Sequence, residues 1–334
     1  MAMPLPVATL TAAKRNKNLF DYFPEITATS YEDMLKETGL DMQVQKRKLY
    51  YADSKGVTRM NPEKCAIAVV DSGDFLGTVG LDYGLSQYDY VLKFLDILAS
   101  EEGTEYKRGG IVGKGERAFV ALTTGEHIRL PGGDEIESYF YVTTGHDGMQ
   151  CIDVVPAPLR KLNNSVLVMP EVRGFKFRHT KHVNEHLSRA KMSIAKVKDY
   201  WARFQKSFTY LAATRLTPQQ LDDYLKMVVE GKNEESVRAE NIRDEIRTIF
   251  QQDRHIAGLP STAGTLLGAY FAVVQYCDFS SRVRKAKNDR RDEDTSRIIS
   301  LIDGNAAQRK ADGYAFAIQM LKKMGQVSLV GSGL

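Results

Sequence analysis

The feature that most restricts the fold of this chain is a change of periodicity near residue 180. Before that point, short apolar runs are separated by turn-forming segments: Asp53-Ser54-Lys55-Gly56, Ser72-Gly73-Asp74, Gly113-Lys114-Gly115-Glu116 and Asp147-Gly148. Such short connections join antiparallel strands, because parallel strands need long crossovers. After that point, apolar residues recur every three or four positions, which is helical spacing. The sequence therefore predicts an α+β fold, with an antiparallel sheet of hairpins followed by a mostly helical C-terminal region.

The same patterns divide the chain into four parts. Residues 1–28 are predicted to form a flexible N-terminal arm, 29–180 the α+β sheet core, 181–325 the helical region and 326–334 a flexible tail. Within the core, the apolar spacing of Gln87–Ala99 predicts an amphipathic helix packed on one face of the sheet. The mixed charges of Arg282–Arg297 predict a solvated helix face or loop.

Composition sets only broad limits on function. The 334 residues carry 46 Lys and Arg against 42 Asp and Glu, a net charge of +4 that permits an anionic partner. The three cysteines are far apart and form neither a disulfide framework nor a metal-ligand spacing, which favours a reducing, cytoplasmic setting. The N-terminal residues lack the charge order of a signal peptide, and no apolar run is long enough to cross a bilayer. We therefore expect a cytoplasmic protein without a membrane partner.

Cations and aromatic residues concentrate between Gly145 and His182. We predict that this segment, with an upstream group of cations, binds the phosphates and bases of a single strand. The predicted contacts are Arg160, Lys161, Arg173, Lys176, Arg178, Lys181, Lys107, Arg108, Lys114, Arg117, Phe175 and Phe177. Lys46-Arg47-Lys48 and Tyr50-Tyr51 have the same character but are not assigned to the site. The alternative is that the phenylalanines are core residues and the cations a solvated rim.

Histidines and carboxylates of this segment are candidates for catalysis or metal binding. His179, His182 and His186 have helical spacing and are candidate metal ligands, but no thiol or carboxylate completes a zinc shell at a familiar offset. His146 and Asp147 lack a nearby nucleophile, and Asp147-Gly148 is itself a hairpin signal. We expect no metal and no catalytic residue. His146, Asp147, Asn163, Asn164 and His179 are predicted to shape loops or to contact the ligand.

The glycines at 109, 110, 113 and 115 do not predict nucleotide binding. No Gly-Lys-Ser/Thr sequence follows them, and the next element is a strand, which offers no helix N-terminus to a phosphate. We therefore expect no cofactor and no nucleotide hydrolysis.

Several motifs together resemble a phage/plasmid-like protein family of originally unknown function. They include Leu76-Gly77-Thr78-Val79-Gly80 with Tyr83 and Gln87, Gly113-Lys114-Gly115-Glu116-Arg117, Asp134, Tyr139, Gly145-His146-Asp147-Gly148, Pro158-Leu159-Arg160 with Asn163-Asn164, Arg178-His179-Thr180, Thr262–Asp278 and Asp303-Gly304-Asn305-Ala306. The resemblance covers roughly residues 30–325. Leu162 departs from the pattern, which usually has Cys before the Asn pair. The order of elements also resembles the core of single-strand annealing proteins, a comparison at the level of fold.

What the resemblance implies is an ATP-independent protein that binds and anneals single-stranded DNA in phage or plasmid recombination. It would act as a homo-oligomeric ring or filament in the cytoplasm of a bacterial host, with a phage exonuclease or a host single-strand-binding protein as a further partner. Two alternatives stay open. One is a metal-dependent nuclease or hydrolase centred on His146, Asp147, Asp134 and His179, and the other is a phage protein that binds a host defence protein.

Overall fold

The fold is that of a computed structural model, which describes residues 16–93, 95, 104–168, 175–177, 194–230, 236–283 and 291–325. It is α+β, as predicted, with two antiparallel sheets and a helical C-terminal region. Helix α1, Tyr31–Thr38, begins where the Ser30 side chain accepts a hydrogen bond from the Asp33 amide and ends at Gly39.

A three-stranded sheet follows α1. It consists of β1 (Val44–Ala52), β2 (Thr58–Val69) and β3 (Phe75–Gly80), in that spatial order. The two predicted hairpins are confirmed, but they share β2, which is a single long strand. An irregularity lies where the pairing passes from Lys48 opposite Cys65 to Tyr50 opposite Met60.

The larger sheet has seven strands. These are β4 (Glu105–Val112), β5 (Arg117–Arg129), β6 (Glu135–Gly145), β7 (Ile152–Pro156), β8 (Leu159–Arg160), β9 (Ser165–Val166) and β10 (Phe175–Phe177). The main path is β10-β7-β6-β5-β4, and β8 pairs with both β6 and β9. All of these pairings are antiparallel, as the short connections predict.

Helices occupy most of the C-terminal region. They are α3 (Ile194–Ala213), α4 (Pro218–Glu230), α5 (Val237–Gln252), α6 (Leu266–Gln275), α7 (Glu293–Ile302) and α8 (Asn305–Lys323), with a π-helical turn, Tyr276–Ser280, after α6. In the sheet core, the predicted helix Gln87–Ala99 appears as α2, Tyr88–Leu92. Residues 94 and 96–103 lie outside the described residues.

The larger sheet is the middle layer of the molecule. Phe119 and Ala121 of β5 belong to a core that they share with the C-terminal helices. Ala118, Val120 and Leu122 point the other way and pack with residues of α1 and α2. Because successive residues of a strand face opposite sides, one strand serves both cores.

The structure differs from the sequence prediction in two places. The sequence predicts that residues 16–28 are part of a flexible arm, but Leu19, Phe20, Phe23 and Ile26 are buried against the sheet. Arg297 was assigned to a solvated segment, yet it is buried and donates to the carbonyls of Cys277 and Asp278. In both cases packing against distant residues decides the burial.

Candidate nucleic-acid interface

The loop at Gly145-His146-Asp147-Gly148 is where the two sheets meet. The Cα of Gly77 approaches the Asp147 backbone so closely that a Cβ there would lie 2.7 Å from it. The Tyr83 hydroxyl donates to the Gly145 carbonyl at 3.1 Å, and the His146 amide donates to the Glu116 carbonyl at 2.7 Å. Glycine at position 77 is thus required by a close approach of two backbones.

Arg117 connects this loop to the C-terminal helices. Its Nε donates to Asp147 at 2.8 Å and its Nη1 to Asp303, between α7 and α8, at 3.0 Å. Asp147 also accepts from the amides of Met149 and Gln150. The Arg117 side chain is only 7% exposed. The sequence predicts that Arg117 contacts a phosphate. In the structure its guanidinium lies between two carboxylates of the protein.

His146 lies in the interior, with its ring 4.3 Å from that of Tyr88. Asp134 precedes β6 and Asp147 follows it, so the eleven residues of that strand separate the two carboxylates by more than about 30 Å. Asp134 therefore does not lie in one centre with His146 and Asp147. His179 lies outside the described residues.

Arg160 is buried between the sheet and the helices. Its Nε and Nη2 contact the Asp134 carboxylate at 2.8 and 2.7 Å, and Nη2 also donates to the His255 carbonyl at 2.5 Å. The guanidinium lies over the Phe271 ring, 4.3 Å from its centroid. The sequence predicts that Arg160 contacts a phosphate. In the structure it pairs with Asp134, because a carboxylate buried as deeply as that one requires a cation beside it.

The other described cations of the predicted set also have protein partners. Lys107 pairs with Glu105, Lys114 with Asp74, Lys161 with Glu135 and Lys176 with Asp153, and Arg108 donates to the Phe23 carbonyl. All five belong to the larger sheet or its connections. Lys107 and Arg108 lie on β4 and Lys176 on β10, at opposite ends of the main strand path.

Asn163 and Asn164 form the turn between β8 and β9. The Asn163 side chain accepts from the Ser165 amide at 3.2 Å, and Asn164 has a positive φ of 54°. Both features are typical of asparagine in turns.

Some predicted site residues lie outside the described residues: Arg173, Arg178, His179, Lys181, His182 and His186. Phe175 and Phe177 are described only as part of the β10 backbone. Among the residues that the structure describes, no group of three or more His, Cys, Asp or Glu side chains could hold a metal ion.

Asp153 of β7 is a partly buried carboxylate with a shifted pKa. It accepts from Gln150 at 3.0 Å and pairs with Lys176 at 3.4 Å. Burial raises its pKa above the ordinary value, with Asp303 adding to the rise and Lys176 opposing it. The ionised form is therefore disfavoured in the folded state.

Asp153→Asn is therefore expected to raise the thermal unfolding midpoint at about pH 8. A folded pKa above the unfolded one gives stability that is present below the unfolded pKa and lost as pH rises through the folded pKa. The advantage of the variant should accordingly vanish below about pH 4, near the unfolded pKa. Circular dichroism melts across this range measure it, with exposed Asp71→Asn as the control. A lower midpoint at pH 8 would mean that the pair with Lys176 dominates.

A different surface combines exposed cations and aromatic side chains: the outer part of the β1–β2 hairpin, residues 46–64, which we call the ribbon. The ribbon has six Lys or Arg and two carboxylates, a net charge of +4, equal to that of the whole chain. At Lys46–Lys48 the partners in β2 still pair with β3, whereas between Leu49 and Glu63 the hairpin has no pairing with β3 and is two strands wide. Its turn is fixed by Asp53, which accepts from the Lys55 and Val57 amides and from Arg59.

One face of the ribbon continues the outer face of the three-stranded sheet. Tyr51 and Arg59 are cross-strand partners, and Arg47 lies on the same side of β1. Phe75 of β3 joins this face through its pairing with Ala68. Tyr51 is 49% and Phe75 57% exposed. We call Arg47, Tyr51, Arg59 and Phe75 the outer platform.

Lys46-Arg47-Lys48 and Tyr50-Tyr51 of β1 lie outside the site predicted from the sequence. The signal in the sequence is that all four residues from Gln45 to Lys48 are polar. Neither face of the strand then has an apolar side chain there, which indicates a strand without a buried face. Phe75 carried no such signal, because only the register of β3 puts it on this face.

The comparisons with known proteins place the chain in a family. Residues 75–301 match the family described as a domain of unknown function (DUF932), and the chain belongs to that family. No curated protein matches the chain, and no solved structure does. None of the helices within the described residues is long and apolar enough to span a membrane.

Proposed function

We propose that this protein binds single-stranded DNA on the outer platform and anneals complementary strands without ATP. The observation that carries the proposal is the chemistry of the platform. Cations contact phosphates, and exposed aromatic faces stack bases without reading their sequence. Arg47 and Arg59 would contact phosphates, and Tyr51 and Phe75 would stack bases.

The dimensions of the platform suit an extended strand. Gln45 of β1 lies at the level of Phe75, because both pair with Ala68. Six residues separate it from Tyr51, which corresponds to about 20 Å along the strand. Between them on the same face lie Ala66 and Ala68, the cross-strand partners of Arg47 and Gln45. No described carboxylate pairs with Arg47, Lys48, Lys55 or Lys64. Arg59 makes an exposed pair with Asp53 at the hairpin turn, and Lys114 and Lys161 pair with Asp74 and Glu135. The ribbon therefore offers its charge to an external anion.

The finer parts of the proposal come from the resemblance described above. We infer a recombination protein of phage or plasmid type, which works as a ring or filament in the cytoplasm of a bacterial host. A phage exonuclease or a host single-strand-binding protein is its proposed partner.

The test is fluorescence anisotropy with a labelled oligothymidylate, together with annealing of complementary oligonucleotides without ATP. Tyr51→Ala should weaken binding by about 1–3 kcal/mol, the contribution of one stacked base. The control is Tyr90→Ala, because Tyr90 is exposed to a similar extent, 46%, but lies on α2.

The salt dependence gives a second measurement of the same site. Each neutralised contact with a single strand contributes about 0.7 to the slope of log affinity against log salt. Arg47→Gln with Arg59→Gln should therefore lower the slope by about 1.4. No binding of single strands at low salt, or variants that bind like the wild type, would refute the proposal.

A further inference from the structure

The ribbon has a second face with the same kind of side chains. Tyr50 and Tyr51 are consecutive residues of β1, so they point to opposite sides. Lys46 and Lys48 lie on the side of Tyr50, and Met60 is its cross-strand partner. Each face thus presents two cations and one tyrosine.

This inner face is exposed only in the ribbon. Nearer the body, the same side of the sheet is the small core that contains Val44, Cys65 and Ile67. Past Lys48 that core ends, and Tyr50 and Met60 are 55% and 50% exposed. The two faces are therefore open to solvent at the same level of the hairpin.

The end of the ribbon is narrow and firmly built. The Asp53 amide donates to the Val57 carbonyl at 2.9 Å, and the Gly56 amide donates back to Asp53 at the same distance. Val57, 52% exposed, places an apolar side chain at the tip. A rigid two-stranded element with an apolar tip can separate two flexible chains without being deformed.

We propose that the ribbon binds the junction at which a DNA duplex divides into two single strands, with one strand on each face. The proposal rests on the proposed function, since it takes the outer platform as the site of one strand. The second strand lies on the inner face, where Lys46 and Lys48 contact its phosphates and Tyr50 stacks a base. Val57 meets the last base pair, as apolar wedges do at unstacked steps.

The thickness of the ribbon fits this arrangement. Side chains on both faces make a two-stranded ribbon about 10 Å thick, comparable with the spacing of packed sheets. Two strands held on opposite faces cannot pair through it. They can pair only beyond the tip, so the bound state is a fork whose duplex begins at the end of the hairpin.

The experiment compares the dissociation constants of the full chain for three labelled ligands of equal total length: a single strand, a blunt duplex, and a fork with two non-complementary arms. The wild type should bind the fork more tightly than the single strand. Tyr50→Ala should weaken fork binding by about 5- to 150-fold, the range for one stacked base, and leave single-strand binding unchanged. Tyr51→Ala should weaken both.

A duplex with only one single-stranded arm is the matched ligand control, and Tyr50→Ala should bind it like the wild type. Single-strand binding without a preference for the fork would overturn the wedge and leave the proposed function intact. Equal losses for Tyr50→Ala on fork and single strand would also overturn it. If the wild type binds none of the ligands, both proposals fail.

Sedimentation of wild type and Tyr50→Ala completes the test. An oligomer that dissociates in the variant would assign the inner face to a second copy of the chain and would overturn the wedge. An unchanged assembly, together with selective loss of fork binding, would support it.

Discussion

Replacing Arg160 with Met should destabilise the protein by about 3–5 kcal/mol, the usual cost of breaking a buried ion pair by removing one partner. The Arg160 side chain is 1% exposed, and that of Asp134 is 0% exposed. The substitution leaves a carboxylate in the interior without its cation and removes the bond to the His255 carbonyl. Urea unfolding followed by circular dichroism measures the loss.

The adjacent residue provides a matched control for Arg160. Lys161 also pairs with a carboxylate, Glu135, but its side chain is 45% exposed. Solvent screens such a pair, so Lys161→Met should cost no more than about 1 kcal/mol. Both variants lose one cation paired with a carboxylate, but only Arg160 is buried and makes further contacts with His255 and Phe271.

A double substitution tests the cause of the loss at Arg160. Arg160→Met with Asp134→Leu removes both charges, and hydrophobic replacements of buried pairs are often neutral or stabilising. We expect the double variant to regain most of the lost stability. A double variant as unstable as Arg160→Met would show that the contacts to His255 and Phe271 matter more than the ion pair.

The hairpins could be predicted because their turns are specified locally. Gly56, Gly73, Gly113 and Gly148 all have positive φ, a conformation that glycine adopts without strain. Each occurs in a short polar segment between two strands. The residues that decide the turn are therefore consecutive in the sequence.

The burial of the charged residues could not be predicted, because their partners are distant. Arg117 meets Asp303 across 186 positions, and Arg160 meets the His255 carbonyl across 95. Sequence patterns report neighbours along one element, whereas these contacts form only when the helices pack on the sheet. A cation in a loop near aromatic residues has the same local sequence whether it binds DNA or an internal carboxylate.

Only part of the outer platform could be predicted from the sequence, for a related reason. The exposed strand β1 could be recognised from its own composition, since Lys46, Arg47 and Lys48 leave it no apolar side there. That Phe75 joins Tyr51 on one face depends on the pairing of three strands and on the irregularity between Ile67 and Ala68. Register of this kind is set by tertiary packing.

Lys310 forms a second buried connection between the helices and the larger sheet. It belongs to α8, and its Nζ contacts Asp278 at 2.5 Å and donates to the Val166 carbonyl of β9 at 2.9 Å. The side chains of Lys310 and Asp278 are 1% and 0% exposed. Arg160 extends from the sheet to the helices, whereas Lys310 extends from a helix to the sheet.

Lys310→Met should therefore cost about 3–5 kcal/mol, because Asp278 would be left buried without its cation. Urea unfolding measures the cost, and Lys323→Met, at an exposed position of the same helix, should change stability by less than about 0.5 kcal/mol. Adding Asp278→Leu should restore part of the loss. If Lys310→Met proved as stable as Lys323→Met, the contact with Asp278 would contribute nothing to the attachment of α8.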